Sequence, residues 1–343
     1  MALKPPVEVP QGAIRLNTDS QKLEFFAQDQ WWQMATDVPT LNGGARGCFG
    51  GGEISPTTNI IDYITISTAG DAIDFGDMQG ANTAGGACSD RTRSVYGGGQ
   101  WPSIPTTHMQ YITMAELNDA VDFGGNLAEG RDFTAAASNS TRGFWAGGRY
   151  PTPATGSTRI DYIEIQSNGV DADDFGDLRY SQLWYPMCLA SPTKGIIGNS
   201  NQASPSAEII DVITIANKGN ASDFGQLSAN KGGSGCSNST RGIFAGGYKI
   251  ESPYPLCNSI TYITMATSGS STDFGDLTRN NRGFGATSSS TRGVFSGGKE
   301  PGNSLTMDYI TIASTGNAVD FGNLVGSARG NIASTSNGHG GLG

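Results

Sequence analysis

One phrase returns six times along this chain, so its fold must be assembled from six copies of one unit. The copies read IDYITISTAGDAIDFGDM, MQYITMAELNDAVDFGGNL, IDYIEIQSNGVDADDFGDL, IDVITIANKGNASDFGQL, ITYITMATSGSSTDFGDL and MDYITIASTGNAVDFGNL. Their phenylalanines, Phe75, Phe123, Phe175, Phe224, Phe274 and Phe321, follow one another at intervals of 48, 52, 49, 50 and 47 residues. A nearly fixed period of this length points to a propeller or another repeat array. The Asp-Phe-Gly tripeptide holds magnesium in phosphotransferases, where one copy serves one site. Six copies belong to the architecture instead.

Each unit divides into four short segments with strand character. In the last copy these are GFGATSS (283–289), GVFSGG (293–298), DYITI (308–312) and AVDFGNL (318–324), with turns at STR (290–292) and STGN (314–317). β-Branched and aromatic residues mark the strands, and Gly, Ser and Asn mark the turns. No window of useful length favours a helix. The expected class is therefore all-β, with four-stranded antiparallel sheets.

Composition agrees with a packed β protein. Glycine contributes 50 of 343 residues, charged residues 15% and hydrophobic residues 36%. The net charge of −10, with no basic stripe, argues against a nucleic-acid partner. No apolar run is long enough for a membrane span, and MALKPPVEVPQG does not read as a signal peptide. The five cysteines, Cys48, Cys88, Cys188, Cys236 and Cys257, show no metal spacing and read as small buried residues. Only His108 and His339 are present as histidines, and neither sits in a nucleophile or metal motif. No P-loop, GxSxG or HExxH occurs, and the loop acids Glu53, Glu116, Glu251 and Glu300 are scattered. No enzyme activity, metal or cofactor is expected.

Ring closure is legible at the two ends of the array. ARGCFGGG (45–52) matches the second strand of a unit, and RGNIASTSN (329–337) matches the first. Pairing them completes one shared sheet and leaves only short edges. The aspartates before each phenylalanine (Asp74, Asp122, Asp174, Asp223, Asp273, Asp320) are available to accept backbone or arginine hydrogen bonds. Arg46, Arg93, Arg142, Lys194, Arg241 and Arg292 lie at equivalent tight turns. They suit a charge-assisted network between units, or alternatively an axial anion or metal site.

The unit resembles the kelch repeat. The resemblance rests on the double glycines Gly51-Gly52, Gly98-Gly99, Gly147-Gly148, Gly246-Gly247 and Gly297-Gly298. It rests further on Tyr63, Tyr111, Tyr162, Tyr262 and Tyr309, on the six phenylalanines at the tryptophan position, and on Arg131, Arg282 and Arg329 in the following loop. It implies a six-bladed, kelch-like β-propeller over residues 41–343. The fourth unit departs, with KGIIGNSNQ for the double glycine and Val212 for the tyrosine, so an irregular blade is expected there.

Residues 1–40 lie outside the repeat. AIRLN, KLEFF and WWQM read as three strands around the turns TDSQ and AQDQ. A piece this small cannot bury Ile14, Leu16, Leu23, Phe25, Trp31 and Trp32 unaided, so these are the candidate attachment or oligomerisation residues. Gly12, Ile14-Arg15, Asn17-Thr18-Asp19, Leu23-Glu24, Phe25 and Trp31 or Trp32 resemble a short module of bacteriophage fibres and adaptors, and the repeat phrase is similar to arrays in marine phage structural proteins. The resemblance implies a non-enzymatic virion protein, assembled in the host cytoplasm. It would be anchored to other virion proteins by its N-terminus, homotrimeric like many fibres, and directed at a host-surface glycan or receptor. Capsid or neck decoration, and a cellular kelch-like interaction module, are the alternatives. The variable loops after each second strand place Trp101, Tyr150, Tyr248 and Tyr254 among prolines, as candidate contacts for a sugar or a protein.

Overall fold

The computed structural model describes residues 10–17, 22–33, 45–54, 57–101, 104–150, 155–199, 208–299 and 302–343. The chain divides into two compact units, residues 1–41 and 42–343.

The first unit is a three-stranded antiparallel meander of Ile14–Asn17, Lys22–Ala27 and Gln30–Gln33. Gln28 and Asp29 take positive φ (52° and 59°) to turn the second hairpin. The expected turn TDSQ lies outside the described residues.

Among its described residues the second unit is built of β-strands, with a short 3-10 turn at Gly340–Leu342. Among the described residues its strands form six four-stranded antiparallel sheets, each taking one unit of the repeat, and a two-stranded ribbon of Asn230–Lys231 with Tyr248–Lys249. Sheet 1 is assembled from both ends of the array, in the order Ala333–Ser336, Arg46–Gly50, Ile60–Thr65, Ile73–Asp77. Its join sets Thr335 opposite Cys48 and Ser336 opposite Gly47. Sheets 2 to 6 follow in chain order, with first strands Gly86–Ser89, Ala135–Ser138, Met187–Ala190, Ser234–Ser237 and Gly285–Ser288. Sheet 4 carries the full four strands despite lacking the double glycine, with Val212 opposite Ile196 where other units place tyrosine. The expected irregularity is absent from its described part. β-Branched Val fits the same half-buried pleat.

First strands pack against one another: Ala333–Ser336 against Gly86–Ser89, then Ala135–Ser138, Met187–Ala190, Ser234–Ser237 and Gly285–Ser288, which in turn meets Ala333–Ser336. Second strands are buried along almost their whole length because both faces meet neighbouring sheets. The apolar core is accordingly a series of inter-sheet clusters. Phe75 of sheet 1 packs with Tyr96, Ile112 and Met114 of sheet 2, and edge-on to its own Tyr63 at 5.9 Å.

The repeated tripeptide joins sheets. The Phe321 carbonyl accepts from Gly70 N at 2.7 Å, and Phe175, Phe224 and Phe274 accept from Gly219, Gly269 and Gly316 at 2.8 Å each. The glycine after the phenylalanine lets these turns approach. A Cβ on Gly76 would lie 2.8 Å from the Asn118 carbonyl oxygen, and its φ is +144°. The aspartates before the phenylalanines are exposed; Asp122 accepts from Gly124 N at 2.9 Å and Asp223 pairs with Arg179 at 2.8 Å, as expected of them, at these two positions. Four buried acids stand one residue before the tyrosine position: Asp62, Asp161, Asp211 and Asp308.

Candidate functional site

Strand direction sorts the loops onto two ends of the six sheets. One end carries the tight turns between first and second strands. There Arg142 Nη1 donates to the Ile215 and Ala216 carbonyls (3.1 and 2.9 Å), Arg241 Nη1 to Ile312 and Ala313 (3.0 and 2.9 Å), and Lys194 Nζ to Met265 and Ala266 (3.1 and 3.0 Å). Arg292 donates to Ile66 and Ser67 (3.3 and 2.8 Å), and Arg46 to Met114 (2.7 Å). The guanidiniums also lie over their own sheet's tyrosine, Arg93 over Tyr111 at 4.2 Å and Arg241 over Tyr262 at 4.7 Å. These cations therefore serve the inter-sheet network. Carbonyls occupy them, and Arg142 also pairs with Glu164 at 2.7 Å.

The first strands enclose a cavity of about 130 Å³ lined mainly by Ala, Gly, Ser, Thr and Cys. At the tight-turn end, serine hydroxyls pass hydrogen bonds from strand to strand. Ser89 donates to the Ser336 carbonyl and Ser138 to Ser89 (both 2.7 Å), and Ser237 to Ala190 and Ser288 to Ser237 (both 2.7 Å). Ala190 breaks the series. The C-terminal NGHGGLG packs here: Nε2 of His339 lies 2.9 Å from the Ser89 carbonyl and 3.3 Å from the Ser138 hydroxyl, while Gly341 N donates to His339 Nδ1 at 3.1 Å. These partners require a neutral ring protonated on Nε2, and burial lowers the pKa of His339 to about 4. Burial likewise pushes the thiols of Cys48 and Cys236 up to about 12, and all five cysteines are buried and free.

The opposite end carries the variable loops and the entry to each first strand. The second residue before that strand is left-handed in every sheet: Ala84 (φ 60°), Phe133 (53°), Tyr185 (43°), Gly232 (67°), Gly283 (58°) and Asn331 (56°). Phe133 and Tyr185 are bulky residues in a conformation that suits glycine. Phe133 meets Trp184 at 4.6 Å and Tyr185 at 4.9 Å, both edge-on. Arg149 lies over Trp184 at 4.4 Å and pairs with buried Asp132 through Nε at 2.9 Å. The Tyr185 hydroxyl donates to Asn331 Oδ1 at 3.0 Å, Asn331 Nδ2 donates to Glu53 at 2.9 Å, and Lys299 pairs with Glu53. Burial pushes the Tyr185 phenol up to about 12.

The four loop aromatics occupy three separate stations on this end. Trp101 stacks on His108 at 4.6 Å, and Tyr150 accepts a hydrogen bond from Ser157 at 3.0 Å. Tyr248 sits opposite Lys231, whose ammonium lies 4.1 Å over Tyr254, so these two tyrosines share a neighbour. Residues 102–103, 151–154, 200–207 and 300–301 of the loops lie outside the described residues. The cluster Phe133, Trp184, Tyr185 was missed in the sequence. Its signal was RDF and LWY standing where other units read NKG and NRG. Of the three loop arginines, Arg131 and Arg329 are fully buried against Asp161 and Asp62, whereas Arg282 stands beside Tyr185.

In the first unit, register sets Ile14, Phe25 and Trp32 in one cross-strand row, exposed by 65, 37 and 44%. Leu16 pairs with Leu23 in the same hairpin, and their side chains lie outside the described residues. Trp31 meets Phe26 edge-on at 5.3 Å, under the Arg15 guanidinium at 4.0 Å.

Comparison with known protein families finds no matching family model, and comparison with curated proteins finds no match. Among the described residues, no three His, Cys, Asp or Glu side chains are grouped to hold a metal ion. Nor, among those residues, is any helix long and apolar enough to cross a membrane.

Proposed function

We propose that this chain is a non-enzymatic phage virion protein of the tail-fibre or adaptor kind. In this reading the six sheets are the blades of a closed, kelch-like propeller, completed by the C-terminal strand in the first blade. Support for closure comes from the first strands, each of which meets two others, and from Arg292 reaching the Ile66 and Ser67 carbonyls of sheet 1. The N-terminal sheet is the attachment element and the loop end faces a host-surface glycan or protein.

The observation that carries this reading is the exposed row Ile14–Phe25–Trp32 on a sheet of only three short strands. Such a sheet leaves apolar area open to water that a partner would cover, at roughly 25 cal/mol per Å². Other virion proteins, or sister copies in a homotrimer, are the partners the reading assigns.

Immunogold electron microscopy with an antibody against residues 42–343, on phage particles containing this protein, tests it. Gold at the tail or its fibres supports the fibre reading. Gold over the capsid transfers the protein to decoration. Protein free in the lysate with bare particles removes the virion reading and favours a soluble interaction module.

A further inference from the structure

We propose that the loop-end mouth of the cavity is a binding site for an acidic sugar unit, with Trp184 and Phe133 as its stacking wall, Arg282 as its carboxylate partner and Tyr185 as its movable cover. Tyr185 leads into sheet 4 and Asn331 into sheet 1, three steps apart whichever way the packed first strands are followed. Their 3.0 Å hydrogen bond therefore crosses the mouth. The tyrosine ring lies 3.4 Å from where a Cβ on Gly283 would stand.

Two observations point to a ligand. First, Phe133 and Tyr185 hold left-handed backbone where the equivalent Gly232 and Gly283 do so without steric cost. Bulky residues kept in such a conformation cluster at binding sites. Second, Arg282 forms no ion pair among the described residues: its side chain hydrogen-bonds the Tyr185 phenol, and its buried Nε has no partner. It is a cation beside the half-buried Tyr185, while Arg149 flanks the neighbouring Phe133 and Trp184 rings, on a chain of net charge −10. Aromatic faces take the apolar face of a sugar ring, and a guanidinium takes a carboxylate in a bidentate fork. The lining below mixes small polar and apolar residues, Ser and Thr with Ala and Cys. The inference deepens the proposed function and rests on it only for the host glycan as the natural source of the sugar.

The test uses the full chain with glucuronic acid, N-acetylneuraminic acid, glucose and poly-glutamate as probes, followed by saturation-transfer NMR and Trp184 fluorescence. Binding of an acidic sugar at about 1–10 mM, with glucose at least about fivefold weaker, is expected for single units. Trp184→Ala and Arg282→Gln should each weaken it about tenfold. Tyr185→Gly separates ligand from scaffold: it should abolish binding while leaving the melting temperature equal or higher, because the left-handed strain is relieved. No binding by any sugar, binding indifferent to Trp184→Ala and Arg282→Gln, or tighter binding of poly-glutamate would overturn the proposal. So would a Tyr185→Gly chain that melts lower, since the tyrosine would then be a brace. Binding by the isolated chain is measured without particles, so the sugar site and the virion reading fail independently.

Discussion

Arg329 Nη2 donates to Asp62 Oδ2 at 2.7 Å, with both side chains fully buried and 267 positions between them. The pair ties the segment entering the last strand to the third strand of the same sheet, supplied by the other end of the array. Removing one member leaves an uncompensated buried charge. Arg329→Met should cost about 3–5 kcal/mol, read from urea midpoints. At the equivalent place in sheet 5, Thr261 donates to Asn230 at 3.1 Å, without charge. The double change Asp62→Thr with Arg329→Asn should therefore recover more than half of the loss. A double variant as unstable as the single would show that the charge itself is required.

The turn cations make a graded series. Arg241→Ala removes two carbonyl contacts to the next sheet and should cost about 1–2 kcal/mol. Arg241→Lys should cost less than about half of that, because Lys194 already reaches the same pair of carbonyls in sheet 4. Equal losses for Ala and Lys would contradict the carbonyl-clamp role.

His339 predicts a pH dependence. Its folded pKa, about 4, lies below the ordinary 6.5, so the unfolded chain takes up the proton first. The stabilisation from the neutral ring is complete above about pH 6.5, declines as the pH falls towards 4, and loses no more below that. A fully sealed ring would contribute roughly 3 kcal/mol across this window, and the partial exposure of His339 reduces the expectation to about 1–2 kcal/mol. Chemical denaturation at pH 7.5 and 4.5 should show a smaller pH difference in His339→Gln than in the parent by that amount. Parallel pH profiles would remove the assignment.

Shortening the C-terminus should have two distinct effects. A chain ending at residue 337 keeps the strand Ala333–Ser336 and loses only the tail on the serine end of the cavity. It should remain cooperative by calorimetry with a modestly lower melting temperature. A chain ending at residue 328 loses Arg329 and that whole strand, leaving Arg46–Gly50 as an open edge. It should lose the cooperative transition or aggregate.

Removing residues 1–41 should leave the melting temperature of the remainder unchanged, because 42–343 is a compact unit in its own right. Self-association should be lost with it. Light scattering is expected to report a trimer for the full chain and a monomer for 42–343. Monomers for both would exclude oligomerisation through the N-terminal sheet.

The sequence by itself determined the strand content, the unit length and the shared sheet of the two chain ends. These are local or periodic properties: alternation, turn residues and matching copies reveal them without knowledge of contacts. The turn cations were legible in the same way, since six equivalent positions can be read as one. Tertiary structure decided which acids are buried. Asp62 and Asp74 look alike in the sequence, but the pleat turns one between sheets and the other to water. It also decided the mouth. Phe133, Tyr185 and Asn331 are far apart in the chain and stand at a repeated position whose residue type varies from unit to unit. Only the packing of first strands brings them to one opening, and only backbone torsions reveal which of them are held under strain.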